Sequence, residues 1–585
     1  MKTFRRLLYL GWLPLLGLTL SACAGTAERV WLNAPGWNRA RLVASTQVVD
    51  PVSMALDDEG GIYLFLIGGE REAAYPRVMA LNRRAEVIWD RSYEAALKWP
   101  DQSQILWDGQ ALQLFWLSNE GLYNAQLQAA TGDLSGPPVL LSGENRVASY
   151  AVAEDPGGSM SIWYAGPQDS PGLYTLPPGD PTGDATLVDS IGMGPSIGYD
   201  DAGTLHASWM HYPPEEDHPK FYYAAYEDGL YVPGQETKVL EPFVGTARVY
   251  GPLLGLDGQQ VYLLWTVMPR IGPRAGMATT HYLHLPPGQP ASASPDRQLS
   301  IPYTYHLPYQ AALPGGLEAG PRVPLPYRGT DYISAVAIDR ALAPELVIAF
   351  HTKLEYLRRK EQGQVSTVFF QGGAPVAYQQ ISFSPGSSDY PAILSDKAGH
   401  LYATWLEGAV SSGYNVYFAS TAPDIRDALS RLTLNDIGQL GPEMLFGLLG
   451  GVMLAPLALI WVVAPLVILG LTSLIRRTDD RFTSLGVILS LALALVAYWA
   501  SKLAFMPGIE DYVPFSAWLP FIPPSLNLTL RLGVPLLVAV LALGIAWRST
   551  YGRDRPSILF FLLMYVMIDG VFTLAVYGPI FYAAF

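Results

Sequence analysis

Residues 392–405 read AILSDKAGHLYATW: an apolar run, Asp396, Gly399 three positions on, then alternating residues ending in Trp405. An aspartate bonds the backbone N–H groups of its own turn, a glycine supplies positive φ, and a period of two follows, so the stretch predicts a β-hairpin. Six further stretches share the layout: SMALDDEGGIYLF (53–65), QILWDGQALQLFW (104–116), AVAEDPGGSMSIW (151–163), SIGYDDAGTLHASW (196–209), LLGLDGQQVYLLW (253–265) and AVAIDRALAPELVIAF (335–350). The turn formers are read as Asp57, Asp108, Asp155, Asp201, Asp257, Asp339 and Asp396. The aromatics that end each unit, Phe65, Trp116, Trp163, Trp209, Trp265, Phe350 and Trp405, are expected to pack as core rather than to face a ligand.

Third strands follow several hairpins, as in GLYNAQL (121–127), KFYYAAY (220–226) and NVYFAST (415–421), and fourth strands precede the next unit, as in PVLLSG (138–143). Four strands in units of about 50 residues describe propeller blades. The expected fold is an all-β seven-bladed β-propeller over residues 41–422, followed by an all-α four-helix transmembrane domain. An insertion rich in Pro and Gly occupies about 270–330. RLVASTQVV (41–49) is a spare strand, expected to complete the last blade and leave no long open edge.

The repeat in 392–405, with NVYFAST after it, resembles the degenerate BNR/Asp-box-like repeats of the sialidase-type β-propeller superfamily, over roughly residues 41–421. That resemblance implies a propeller. For catalysis it implies three arginines clamping a carboxylate, a Tyr/Glu nucleophile pair and an acidic acid/base. The nearest counterpart of the family's Arg-Ile-Pro motif, Arg322-Val323-Pro324, lies in the insertion, and no repeat has the full S-x-D-x-G-x-T-W form. The arginine triad is therefore not assigned.

The ends of the chain read differently. Lys2, Arg5 and Arg6 precede an apolar run that closes on Leu20-Ser21-Ala22-Cys23, which looks like a bacterial lipobox. Residues 1–22 are expected to be a lipoprotein signal peptide, Cys23 the site of a diacylglyceryl group, and 23–40 a linker. Cys23 is the single cysteine, so no intrachain disulfide can form. PDIRDALSRLTL (423–434) reads as a short helix within a juxtamembrane segment, 423–444. From 445 onward four apolar runs, about 445–475, 482–504, 527–547 and 557–583, are long enough to cross a bilayer. The loops RRTDDR (476–481) and RSTYGRDR (548–555) hold six arginines, and 507–529 holds no Lys or Arg. The positive-inside rule then places the large N-terminal domain and the C-terminus outside the cytoplasmic membrane.

The net charge of −14 and the absence of a basic stripe argue against a nucleic-acid partner. His211, Glu215, Glu216, Asp217 and His218 cluster as a possible divalent metal set. Tyr303, Tyr305, His306, Tyr309, Arg322, Tyr327 and Arg328 would suit a binding surface for a glycan or protein. Asp569 in the fourth apolar run and Lys502 near the end of the second are expensive in hydrocarbon, and a helical rise of 1.5 Å per residue offsets them by about 10 Å. No cofactor motif appears. The reading is a binding or scaffold module in contact with membrane lipid and a protein or glycan partner. A propeller glycoside hydrolase and an accessory subunit of a membrane transport or energy-converting complex are the alternatives.

Overall fold

The computed structural model describes residues 34, 36–70, 73–93, 101–211, 218–242, 244–302, 323–324, 329–330, 332–339, 344–357, 360–382, 384, 386–409, 413–431, 434–476, 485–506, 509, 512–515, 522, 524–551 and 557–581. Residues 1–22, read as a signal peptide, Cys23, the arginines of 477–481 and 553–555, and the proposed surface of Tyr303, Tyr305, His306, Tyr309, Arg322, Tyr327 and Arg328 lie outside the described residues.

Seven antiparallel sheets form the propeller, each in simple meander order from inner to outer strand. The inner strands are Ser53–Leu56, Asp101–Trp107, Ser149–Glu154, Gly192–Tyr199, Arg248–Leu256, Ile333–Ile338 and Ser388–Ser395, and they number blades 1 to 7. Arg41–Thr46 pairs with Tyr414–Ser420 as the outer strand of blade 7, so the ring closes with a strand from before blade 1, as its position in the sequence predicts. Just before that strand, Trp37 is buried against Ile393, Leu401 and Tyr417, and the Asn38 amide N–H donates to the Ser420 carbonyl at 3.0 Å.

The seven aromatics are all core, none more than 2% exposed. Alternation predicted one apolar and one polar face for each second strand, but Leu205, His206, Ala207, Ser208 and Trp209 are all buried. The reason is architectural, since a blade is sandwiched between two neighbours. Leu205, Ala207 and Trp209 pack on blade 3, with Trp163 and Trp209 6.1 Å apart. On the blade 5 side, Met210, Phe221 and Tyr223 meet Leu254 and Trp265.

The turns follow the aspartate rule with two shifts. Asp57 accepts from the Glu59 and Gly61 amides at 2.9 and 2.7 Å, and Asp396 from Ala398 and His400 at 2.9 and 2.8 Å. Asp108, Asp155 and Asp257 do likewise. In blade 4 the turn carboxylate is Asp200, which accepts from Ala202 and Thr204 at 3.0 and 2.8 Å, while Asp201 beside it is exposed. In blade 6 the longer turn leaves Asp339 to accept from the Ser395 amide of blade 7 at 3.1 Å. Removing a turn carboxylate strands N–H groups that the fold has already taken from water. Asp200→Ala is expected to cost about 2 kcal/mol and Asp201→Ala under about 0.5 kcal/mol. Denaturant midpoints of the two variants check this.

The insertion is shorter than its composition suggested. Thr279–Leu285 and Arg297–Gln298 are the outer two strands of blade 5, and Val323–Pro324 adds a fifth strand to the edge of blade 6.

The helix α1 (Pro423–Leu429) buries Ile425 in the cluster of Val52, Leu64 and Phe418, so it is part of the propeller unit. A second unit comprises α2 (Leu434–Met453), α3 (Ala458–Arg476), α4 (Leu485–Phe505), α5 (Asn527–Tyr551) and α6 (Ile558–Phe581). Four helical segments, Ala455–Leu474, Leu485–Phe505, Asn527–Tyr551 and Ile558–Gly578, are long and apolar enough to cross a membrane. The uncharged run 445–475 is not one helix. It breaks at the 3₁₀ turn Ala455–Leu457, where Pro456 lacks the N–H that a continuing helix needs. α2 then packs on α6 so closely that a Cβ on Gly451 would meet the Leu574 carbonyl oxygen at 2.2 Å. α6 is the most enclosed of the four candidate spans.

Candidate functional site

In a four-strand meander, connections between first and second and between third and fourth strands share one end of the blade, and the others share the opposite end. The repeat aspartates therefore all lie on one face, the turn face, and the inner strands begin on the other, the mouth. On the turn face five of the carboxylates have a second partner that the sequence reading did not single out. The second strand places a donor five or six residues after the aspartate: Tyr63 on Asp57 at 2.7 Å, Gln113 on Asp108 at 2.7 Å, Tyr262 on Asp257 at 2.5 Å and Tyr402 on Asp396 at 3.2 Å. His206 takes that position against Asp200 at 3.1 Å, and its other ring nitrogen meets Tyr223 at 2.7 Å. Polar residues recurring at one register of a buried strand were the available signal. The aspartates are joints of the ring.

The turn face also holds a cavity of about 360 Å³ lined by Asp201, Asp257, Gly258, Gln259, Pro344, Gln371 and Gly372. Its buried carboxylate is spent, because Asp257 holds the Gln259, Gln260 and Gly372 amides as well as Tyr262. The cavity is a seam between blades.

Charge is crowded on the same face. Burial and then Asp108, Asp155 and Asp58 push the Glu154 carboxyl up to about 7. At the mouth, burial pushes Asp50 up to about 6, against the bonds from Ser103 and the Gln102 amide that favour its charge. Both groups ionise less readily folded than unfolded. Their stabilising contribution is complete below the unfolded value near 4 and is lost as pH rises through 6 for Asp50 and 7 for Glu154. Asp50 is 4% exposed, and its shift corresponds to about 3 kcal/mol. Stability is expected to fall between about pH 4 and pH 7, and Glu154→Gln to remove the upper part of that fall. Denaturant titrations across that range test both.

The mouth is built from irregular backbone. In five blades the inner strand carries a β-bulge near its start, between Asp101 and Gln104, Met193 and Ser196, Tyr250 and Leu253, Ser334 and Ala337, and Asp389 and Ala392. Each bulge holds a residue in the left-handed region: Gln102 (φ 54°), Gly194 (58°), Gly251 (108°), Ala335 (49°) and Tyr390 (51°). For the three residues other than glycine this costs about 1–3 kcal/mol each, and strain of this kind clusters at binding sites. No sequence signal announced it, since Gln, Ala and Tyr are not turn formers.

Most mouth carboxylates are committed. Glu407 accepts from Ser384 at 2.8 Å, Ser388 at 2.7 Å and the Trp405 indole at 3.2 Å. Asp50 holds Ser103 and the Gln102 amide. Burial opposes the charge of Asp189, but His211, the Ile191 amide and Trp209 outweigh it and hold that carboxyl below the usual range. His211, one of the five residues weighed as a metal set, is bound to Asp189 and lies 4.0 Å from the Tyr222 ring. Glu215, Glu216 and Asp217 are outside the described residues, and no group of three metal-ligating side chains comes together among the described residues.

Exposed at the mouth are cations over aromatic rings: Arg248 5.0 Å from Tyr250 and Lys353 4.9 Å from Tyr332. Beside them His351 has Nδ1 2.7 Å from the Ser388 carbonyl oxygen and 3.6 Å from Asp389.

In the helical unit Lys502 and Asp569 are not offset but bonded, Nζ to Oδ2 at 2.7 Å. Tyr498, one turn before Lys502, donates to the same oxygen at 2.6 Å. Helical side chains lean toward the N-terminus, so Lys502 reaches back one turn to the level of Asp569.

No family model matches the sequence, and no curated protein matches it. Solved structures match in fold alone. The polysaccharide lyase Uly1 has a TM-score of 0.42 at 9% identity, over 65% of this chain and 91% of that one. An ulvan lyase of polysaccharide lyase family PL25 has a TM-score of 0.40 at 9% identity, over 69% and 100%. A Trypanosoma rangeli sialidase has a TM-score of 0.34 at 9% identity, over 73% and 62%.

Proposed function

We propose that the propeller is an extracytoplasmic binding module, held at the cytoplasmic membrane by its helices and by a lipid on Cys23, and that its mouth is the binding face. The observation that carries this is the division of labour at the mouth. Buried carboxylates there are consumed by structural bonds, whereas the exposed groups include Arg248 on Tyr250 and Lys353 on Tyr332, which suit contact with a partner's polar and planar surfaces. The sequence offers Tyr303, Tyr305, His306, Tyr309, Arg322, Tyr327 and Arg328 as further binding residues. Purification in mild detergent, with identification of what co-purifies, tests the reading. A partner lost in an Arg248→Ala/Lys353→Ala double variant supports it, and a chain that emerges alone and unchanged by the double variant sinks it.

One observation favours an enzyme as the second reading. A His351 Nδ1–H given to the Ser388 carbonyl leaves Nε2 as the acceptor, the tautomer a general base needs, with Asp389 close by. Cleavage of a glycan by the purified chain, abolished in His351→Ala, would replace binding with catalysis as the propeller's work.

A further inference from the structure

The polar centre of the helical unit has a bond left over. Asp569 is fully buried, and its Oδ2 takes Lys502 at 2.7 Å, Tyr498 at 2.6 Å and Thr573 at 3.5 Å. Lys502 is itself used up, with Nζ 2.7 Å from Thr573 Oγ1 and 4.3 Å from the Trp499 ring. Asp569 Oδ1 is buried and has no partner among the described residues. A carboxylate oxygen left bare in an apolar interior is among the costliest features a fold can hold. Charge is not what it lacks, since Lys502 already neutralises the group. It lacks one hydrogen-bond donor.

The opposite deficit lies one helical turn earlier. Tyr565, also buried, accepts the Trp499 indole N–H at 3.2 Å, and its own proton has no acceptor among the described residues. Tyr565 and Asp569 stand at i and i+4 on one face of α6, and the Tyr565 ring lies 5.7 Å from that of Tyr498, whose hydroxyl already bonds Asp569. The occupant must accept from Tyr565 and donate to Asp569, must be neutral, and must be small, since the Tyr498 ring beside it is itself packed on Trp461, Trp499 and Tyr565. We infer that the helical unit binds one internal water molecule between Tyr565 Oη and Asp569 Oδ1. It completes a hydrogen-bonded circuit from Trp499 through Tyr565 and Asp569 to Lys502, tying α4 to α6. Buried waters of this kind occupy polar, enclosed sites with two to four partners.

The test uses the full chain in lipid nanodiscs. Infrared spectra in ordinary and oxygen-18 water should show one O–H stretching band that moves with the isotope and is lost in Tyr565→Phe. A density map that resolves waters should place one peak within hydrogen-bond distance of both atoms. A direct Tyr565–Asp569 bond, a peak that is replaced when sodium is exchanged for rubidium, or the absence of an isotope-sensitive band would each overturn the inference. Should Tyr565→Phe fail to fold, the isotope shift of the native protein decides alone.

Discussion

Lys502→Met is expected to destabilise the helical unit by about 3–5 kcal/mol, because it leaves the buried charge of Asp569 without its counter-ion. The bridge is 2.7 Å long between side chains 2% and 0% exposed, so bulk water does not reach the carboxylate to offset the loss of the ammonium. Asp569→Leu alone should be nearly as harmful, since it strands Lys502 and Tyr498. The double variant Lys502→Met/Asp569→Leu should recover most of the loss, because apolar replacements of similar volume often match a buried pair in stability. Thermal unfolding of the three variants in one detergent forms a double-mutant cycle. Additive losses would refute the idea that the two charges depend on each other.

Trp209→Ala carries the largest expected effect in the propeller, about 3–5 kcal/mol. The ring is fully buried between blades 3 and 4, against Trp163 at 6.1 Å and stacked on Tyr222 at 6.0 Å. Its indole N–H also donates to Asp189 of the neighbouring blade at 2.9 Å. Truncation opens a cavity and removes a bond across the blade seam. Trp209→Phe keeps most of the volume and loses only that bond, so it should cost about 1–2 kcal/mol. Equal midpoints for the two variants in denaturant would show that the seam is held by something other than this side chain.

The fold was legible because its signals are local and repeated. Asp396, Gly399 and Trp405 say little alone, but six siblings at similar spacing fix a hairpin, and hairpins in units of about 50 residues fix a propeller. The spare strand at 41–46 was legible by subtraction, since one blade was a strand short. The single-residue shift from Asp201 to Asp200 was not, because either of two adjacent aspartates satisfies the pattern and only the turn's hydrogen bonds choose. The break at Pro456 was hidden by hydropathy, which counts apolar residues and not backbone N–H groups.

The site was far less legible. Gln102, Ala335 and Tyr390 give no local hint of left-handed backbone, and they adopt it because pairing on both sides of the bulge leaves no alternative. His351 and Asp389 are distant in sequence and adjacent blades bring them together. Lys502 and Asp569 could be named as costly from hydropathy alone, but rise per residue put them about 10 Å apart, and the backward reach of the lysine closed the gap. By itself the sequence determined what is periodic or compositional: seven hairpins, their aromatic core, and four stretches able to cross a membrane. The tertiary structure decided what depends on non-local geometry, namely which carboxylates are spent, which strands bulge at the mouth and which buried charges pair. Periodicity is written along the chain, whereas partners in space are set only when packing brings distant residues within bonding distance.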